Sequence, residues 1–316
     1  MSDQTHPTAG ARPRVFIDGE AGTTGLGIRT RLDELGLVDV ISIAPEKRKD
    51  ADARREMMRA ADLIILCLPD DAAREAVSLA ASLGDEAPRV LDASTAHRVS
   101  EGWTYGFPEM AEGQAEAIAG ASHVANPGCY ATGAIALLRP LVERGLLPVD
   151  FPVAINAVSG YSGGGRSMIE DYEAARAPAF ELYGLGLKHK HLPEIRAYGL
   201  LARQPIFVPS VGNFRQGMLV SLPLFLRDLP GAPSAADLHA ALAAHYEGAR
   251  NVAVAPQEEA DAGRIEALAL NDTDRLDIHV FGNAEHGQAV LVARLDNLGK
   301  GASGAAVQNL RLMLGV

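Results

Sequence analysis

Cysteine is scarce. The 316 residues contain two, Cys67 and Cys129, too few for a disulfide framework and better suited to a reducing compartment. Basic charge is in deficit. Lys plus Arg number 29 against 40 Asp plus Glu, a formal net charge of −11, and a chain of that sign lacks the footprint that nucleic-acid binding requires. No apolar run reaches the roughly 18–20 residues of a membrane helix. The stretch Met1–Arg14 holds Asp3, His6 and two prolines but no hydrophobic segment of the signal-peptide kind. The expectation is a disordered tail on a cytoplasmic protein with neither membrane nor nucleic acid among its partners. Apolar residues, by contrast, are abundant. They make up 47% of the chain against 22% charged, enough to bury a core and exclude bulk disorder. That core should divide in two, because single cores stop growing near about 250–300 residues.

From Pro13 the pattern reads strand, glycine-rich turn, helix: Val15-Phe16-Ile17, then Gly19, Gly22 and Gly25, then 26–35 with Ile28 and Leu32 on one face. A second strand is predicted over 38–44. The continuous apolar run 63–68 suits a parallel strand buried on both faces. Pro69 should end it, and Asp70-Asp71 should cap a helix through Ala81. With a further strand at 90–93, this alternation predicts an α/β fold with a Rossmann-like, doubly wound parallel sheet. Near Phe151 the texture changes to alternating strand-like segments at 153–158, 206–211, 218–226, 252–255, 276–281 and 289–295, the last two joined by a hairpin-type connection. This half reads as an α+β domain with a mainly antiparallel sheet. Its one clear helix is 235–246, capped by Ser234, and a C-terminal helix at 304–314 follows a glycine-rich loop.

Three segments carry chemistry. Gly19-Glu20-Ala21-Gly22-Thr23-Thr24-Gly25 has the form GxxGxxG between a strand and a helix, where glycines let the backbone approach a pyrophosphate and the helix start supplies amide donors. The bland alternative is a tight turn without a ligand. After the second strand, Lys47 and Arg48 stand between Glu46 and Lys49. Cations there suit the 2′-phosphate of NADP(H); otherwise they form a solvated basic turn. Cys129 follows Asn126-Pro127-Gly128 and precedes an apolar helical run. At a first helical turn a thiol feels the positive end of the dipole and loses its proton more easily, as a nucleophile requires. Cys67, mid-strand, reads as a small buried hydrophobe.

Lys188-His189-Lys190-His191 would, if extended, put both histidines on one face and both lysines on the other, a proton shuttle beside cationic charge. His189 is preferred as proton carrier, with His191 anchoring loop or substrate. No metal is expected, because no third ligand has sensible spacing. Anion sites are suggested around Ser94 and Arg98, around Ser162 and Arg166, and at Arg215, where arginine forks suit phosphate and carboxylate.

The residues together resemble the short form of N-acetyl-gamma-glutamyl-phosphate reductase. The resemblance runs nearly end to end: GxxGxxG at Gly19, NPGCYAT at 126–132, SGxSGGGR at 159–166, HKHLPEI at 189–195 and NLGKGASG at 297–304. It departs from the long form in the turn at 94–98 and in its shorter length. The resemblance implies a cytoplasmic enzyme of arginine biosynthesis that reduces an acyl phosphate with NADPH through a Cys129 thioester. Glycines 19, 22 and 25, Thr23, Thr24, Lys47, Arg48 and Gly301 would face the cofactor. Ser94, Arg98, Ser162, Arg166, Lys188 and Arg215 would face the substrate. It further implies residues 1–130 joined by 300–316 as the NADP-binding domain, 131–299 as the catalytic domain, and a homo-oligomer, dimer or tetramer, formed through the second sheet. Related reductases of aspartyl or blocked aminoadipyl phosphate share this logic. A non-catalytic NADP sensor would keep the glycine turn but has no need of Cys129 beside histidines.

Overall fold

A computed structural model describes residues 12–257 and 263–316; most of the expected N-terminal tail lies outside the described residues. Among these, the strands form two sheets. The first is six-stranded, in the order β2-β1-β3-β4-β6-β5, and every pair in it is parallel. Its strands are β1 (Arg14–Asp18), β2 (Asp39–Ile41), β3 (Leu63–Leu66), β4 (Arg89–Asp92), β5 (Thr104–Tyr105) and β6 (His123–Ala125). The two-residue period of a strand divides its apolar side chains between two cores. Val15, Ile17, Leu63, Ile65 and Leu91 face one, with Ile28 and Leu32 of α1 (Thr23–Leu35) and Ile118 of α4 (Gln114–Gly120). Phe16, Ile64, Leu66 and Val90 face the other, with Met58 of α2 (Ala51–Arg59) and Ala73, Ala76 and Ala80 of α3 (Asp70–Ala81). Helices therefore cover both faces, as a doubly wound sheet requires.

The second sheet is seven-stranded, β11-β12-β13-β10-β7-β9-β8. It comprises β7 (Ala154–Gly160), β8 (Phe180–Leu182), β9 (Ile206–Gly212), β10 (Met218–Phe225), β11 (Val252–Val254), β12 (Leu276–Asn283) and β13 (Gln288–Leu295). Four of its pairs are antiparallel, while β7–β9 and β11–β12 are parallel, so the sheet is mixed with an antiparallel majority. One face packs on α5 (Cys129–Glu143), α7 (Leu192–Tyr198) and α8 (Ala235–His245). Residues 130–138 of α5 are buried without a break, so this helix is apolar all round and runs through the core. Its first residue is Cys129.

The last helix, α9 (Gly304–Leu314), returns to the first sheet, where Ala306, Val307, Leu310 and Met313 join the core beside α1. Arg89 ties it there. Its guanidinium donates to Ala119 O at 2.7 Å, to Ala121 O through Nε at 3.0 Å, and to Met313 O. One cation thus satisfies end carbonyls of two helices, where the dipole favours it.

Several sequence expectations need correction. β2 spans three residues rather than seven. Asp70 does not cap α3: Pro69 occupies the N-cap, and the Asp70 carboxylate instead accepts from the amide and hydroxyl of Thr95. The second half contains more helix than expected, in α6 (Gly165–Glu173) and α7. Both are short, and a glycine-rich stretch and a proline hide their periodicity.

Candidate active site

A cavity of about 330 Å³ opens where the two sheets meet. α1 contributes Thr23 and Thr24 to its wall, the turn before α5 contributes 126–129, and the 189–191 turn closes the opposite side. The glycine turn supports it from behind. Gly19 has φ 90°, and a Cβ there would collide with the Cys67 carbonyl. A Cβ on Gly25 would lie 2.6 Å from Gly19 O. Only glycine lets β1 turn this tightly into α1. Gly22 is the N-cap and offers no side-chain cap, and the first turn of α1, whose amides have no intrahelical acceptor, borders the cavity at Thr23 and Thr24.

Cys129 occupies the first position of α5, is half-buried and lines the cavity. Sequence position alone suggested a thiol that ionises easily. The structure corrects this. Burial pushes the Cys129 pKa up from 9.0, against the opposing pull of the Tyr130 amide, Arg98 and Lys190, while Glu194 adds to the rise. A thiol in this state needs a base. Cys67 is also held protonated by burial, its pKa pushed up to about 12.

The histidine segment is not extended: from His189 it turns into α7, the Leu192 amide donating to His189 O at 3.0 Å. It still brings the imidazoles together, with ring centroids 4.7 Å apart. His189 Nδ1 accepts from the His191 amide at 3.1 Å, so the neutral ring carries its proton on Nε2. His191 is 4% exposed, and its Nδ1 has no hydrogen-bond partner among the described residues. Burial, then Lys190 and Arg98, lowers the His189 pKa to about 4. Burial, then Arg98, His189 and Lys190, takes His191 well below 6.5. Both rings are neutral at pH 7.

Of the other residues singled out, Arg98, Ser162 and Gly301 line the same cavity. Arg98 is buried, donating from Nη1 to Glu194 Oε1 at 2.7 Å and from Nε to Asn126 O at 3.0 Å. Ser162 Oγ accepts from Asn297 Nδ2 at 2.9 Å. Gly301 sits in a π-turn, Gly299–Ser303, and a Cβ there would lie 2.9 Å from Cys129 Cβ. Ser94 stands behind the wall, donating to Asp92 Oδ2 at 2.8 Å. Arg166 reaches the glycine turn, donating to Ala21 O at 2.7 Å. Arg215 is exposed and 3.4 Å from Glu173. Lys188 is exposed, and Lys190 takes its place on the cavity wall. Lys47 and Arg48 are exposed on the turn after β2. Sequence reasoning missed Lys190, Tyr183 and Glu194; the alternation of lysine and histidine was the one available signal, and it favoured neither lysine. Among the described residues no group of three His, Cys, Asp or Glu side chains is placed to hold a metal ion, and no helix is long and apolar enough to cross a membrane.

A doubly wound sheet meeting a mixed sheet at a cysteine-bearing helix start defines the class. Residues 129–297 match the family model of the semialdehyde dehydrogenase dimerisation domain. Aspartate semialdehyde dehydrogenase II from Vibrio cholerae superposes with TM-score 0.72 at 16% identity, over 96% of this chain and 99% of that one. Within that class the chain belongs to the N-acetyl-gamma-glutamyl-phosphate reductase family. It is 57% identical to the Brucella ovis protein of that name over 96% of this chain and 99% of the relative. It is 59% identical to the Chelativorans sp. protein of the same name over 95% of this chain and 98% of that relative. Aspartate semialdehyde dehydrogenase with NADP from Candida albicans shares the fold at TM-score 0.63 and 14% identity, over 96% of this chain and 99% of that one.

Proposed function

We propose that this protein reduces N-acetyl-gamma-glutamyl phosphate to N-acetylglutamate 5-semialdehyde with NADPH and release of phosphate, a step of arginine biosynthesis in the cytoplasm. The observation that carries the reading is that Cys129, His189, His191 and the first turn of α1 share one cavity. His191 Nδ1 takes the thiol proton and passes it to the departing phosphate. The Cys129 sulfur bonds to the γ-acyl carbon while the carbon–oxygen bond to phosphate breaks, leaving a thioacyl enzyme. NADPH held at the glycine turn, by the backbone at Gly19, Gly22 and Gly25 and the amides of Thr23 and Thr24, would supply the hydride that reduces the thioester. The alkoxide, hydrogen-bonded by His189 Nε2–H, re-forms the carbonyl as the carbon–sulfur bond breaks, and His189 relays a proton from solvent to the departing Cys129 sulfur.

The cofactor fits the residues present. The cradle at Gly19 and Gly25 excludes any Cβ, the amides at Thr23 and Thr24 suit a pyrophosphate, and Lys47 and Arg48 suit the 2′-phosphate. Gly301 keeps the floor beside Cys129 free of a side chain. Arg98, Ser162 and Lys190 on the wall supply the substrate's anion contacts, while Ser94, Arg166, Lys188 and Arg215 lie outside the lining. Residues 1–130 with 300–316 serve the cofactor, and 131–299 serve catalysis and assembly into a homo-oligomer, for which the matching dimerisation-domain family speaks. The test is the reaction in reverse. N-acetylglutamate semialdehyde, aspartate semialdehyde and glyceraldehyde phosphate are each offered with NADP and phosphate. Only the first should reduce the cofactor, and only with phosphate present; turnover of aspartate semialdehyde, or turnover without phosphate, overturns the reading.

A further inference from the structure

We infer that Glu194 is the positioning residue of this site, a single carboxylate that fixes the nucleophile's loop against the histidine turn. The inference rests on Cys129 being the nucleophile. Glu194 lies in the first turn of α7 and is 1% exposed. Its Oε1 accepts from Arg98 Nη1 at 2.7 Å. Its Oε2 accepts from the Tyr105 hydroxyl at 2.6 Å and from the Gly128 amide at 3.1 Å. These donors come from three segments: the loop after β4, strand β5, and the N-cap of α5 immediately before Cys129. α7 also carries the acid–base turn, because the Ile195 amide closes on His191 O at 3.0 Å. Nucleophile and histidines are therefore referenced to the same two oxygens.

Burying a carboxylate this deeply is unfavourable unless its lone pairs are engaged, and here one cation and two neutral donors engage them. The charge has a second consequence. Cys129 is faced by Arg98 and Lys190, which favour its thiolate, and by Glu194, which opposes it; the rings of Tyr130, Tyr183, His189 and His191 line the same space. Glu194 also holds Arg98 to itself. Geometry and charge can thus be separated by two substitutions.

The experiment compares Glu194→Gln, Glu194→Asp and wild type as full-length proteins. It measures kcat, KM for the acyl phosphate, urea midpoint and the pH dependence of iodoacetamide labelling at Cys129. Glu194→Gln loses the charge but keeps the volume: kcat should fall about 10- to 100-fold, KM should change less than about threefold, and the labelling midpoint should move to lower pH. Glu194→Asp keeps the charge but is one methylene short: kcat should fall similarly and the labelling midpoint should stay at the wild-type pH. A mere fold staple would lower the urea midpoint and leave kcat and the labelling profile alone, which overturns the proposal. If Glu194→Gln does not fold, Glu194→Asp decides by kcat, and a value within about twofold of wild type overturns the positioning role. If labelled wild-type enzyme keeps full activity, the nucleophile reading fails, and it fails visibly in the unmutated protein.

Discussion

Adding one methyl group at Gly128 should cost this enzyme most of its turnover while leaving it folded. The backbone there has φ −78° and ψ 146°, extended geometry that any residue adopts, so Gly128→Ala introduces no backbone strain. A Cβ would stand 2.5 Å from Arg98 Nη1, 2.5 Å from His191 Nε2 and 2.6 Å from Glu194 Oε1. Comfortable contact begins near about 3.5 Å, so each group must retreat by roughly 1 Å. Overpacking of this kind costs about 1–3 kcal/mol, against the roughly 5–15 kcal/mol that keeps a domain folded. Misplacing catalytic groups by about 1 Å costs about a hundredfold in rate. Steady-state kinetics of Gly128→Ala, beside its urea midpoint, should therefore show kcat down about a hundredfold with a modest loss of stability. A folded variant with kcat within about twofold of wild type would refute the convergence of these three groups on the nucleophile's loop.

Replacing Lys47 and Arg48 by Ala should weaken NADP(H) about tenfold to a hundredfold, the worth of one charge-assisted bond at about 1.5–3 kcal/mol, and leave NAD(H) unchanged by fluorescence titration; equal loss of both would make these residues structural. His189→Asn should slow turnover about 10²–10⁴-fold and leave Cys129 alkylatable. His191→Asn should slow the phosphate burst in single-turnover experiments, and an unaltered burst would remove its role as base. Acid stability has a definite sign. The folded pKa of His189, about 4, lies below the ordinary 6.5 of an imidazole, so the unfolded chain binds more protons between these values and stability falls as pH drops through that window. His189→Asn should flatten the decline in denaturant midpoint between pH 6.5 and 4; an unchanged slope would contradict it.

Much of the fold was legible because its signals are local. The run at 63–66 is buried on both faces, and its composition said so. The glycine turn and the helix start at Cys129 are set by neighbours a few residues away. Burial and distant pairing were not legible. The dipole at Cys129 was visible in the sequence, but the burial that outweighs it depends on residues far along the chain that share its cavity. Asp70 looked like a cap until Thr95, 25 residues on, claimed its carboxylate. Glu194 passed as part of a motif because Tyr105 and Arg98 lie 89 and 96 residues away. The histidine pair was found for an incomplete reason: a turn, not a strand face, brings the rings together.

The most direct test of the chemistry is to trap the acyl enzyme. Wild-type protein is mixed with N-acetyl-gamma-glutamyl phosphate without NADPH and quenched in acid, then digested for mass spectrometry while released phosphate is counted. One N-acetylglutamyl group should appear on the peptide bearing Cys129, matched by one phosphate per site, and Cys129→Ser should show neither. Phosphate release that requires NADPH, with no adduct on Cys129, would contradict a thioester route.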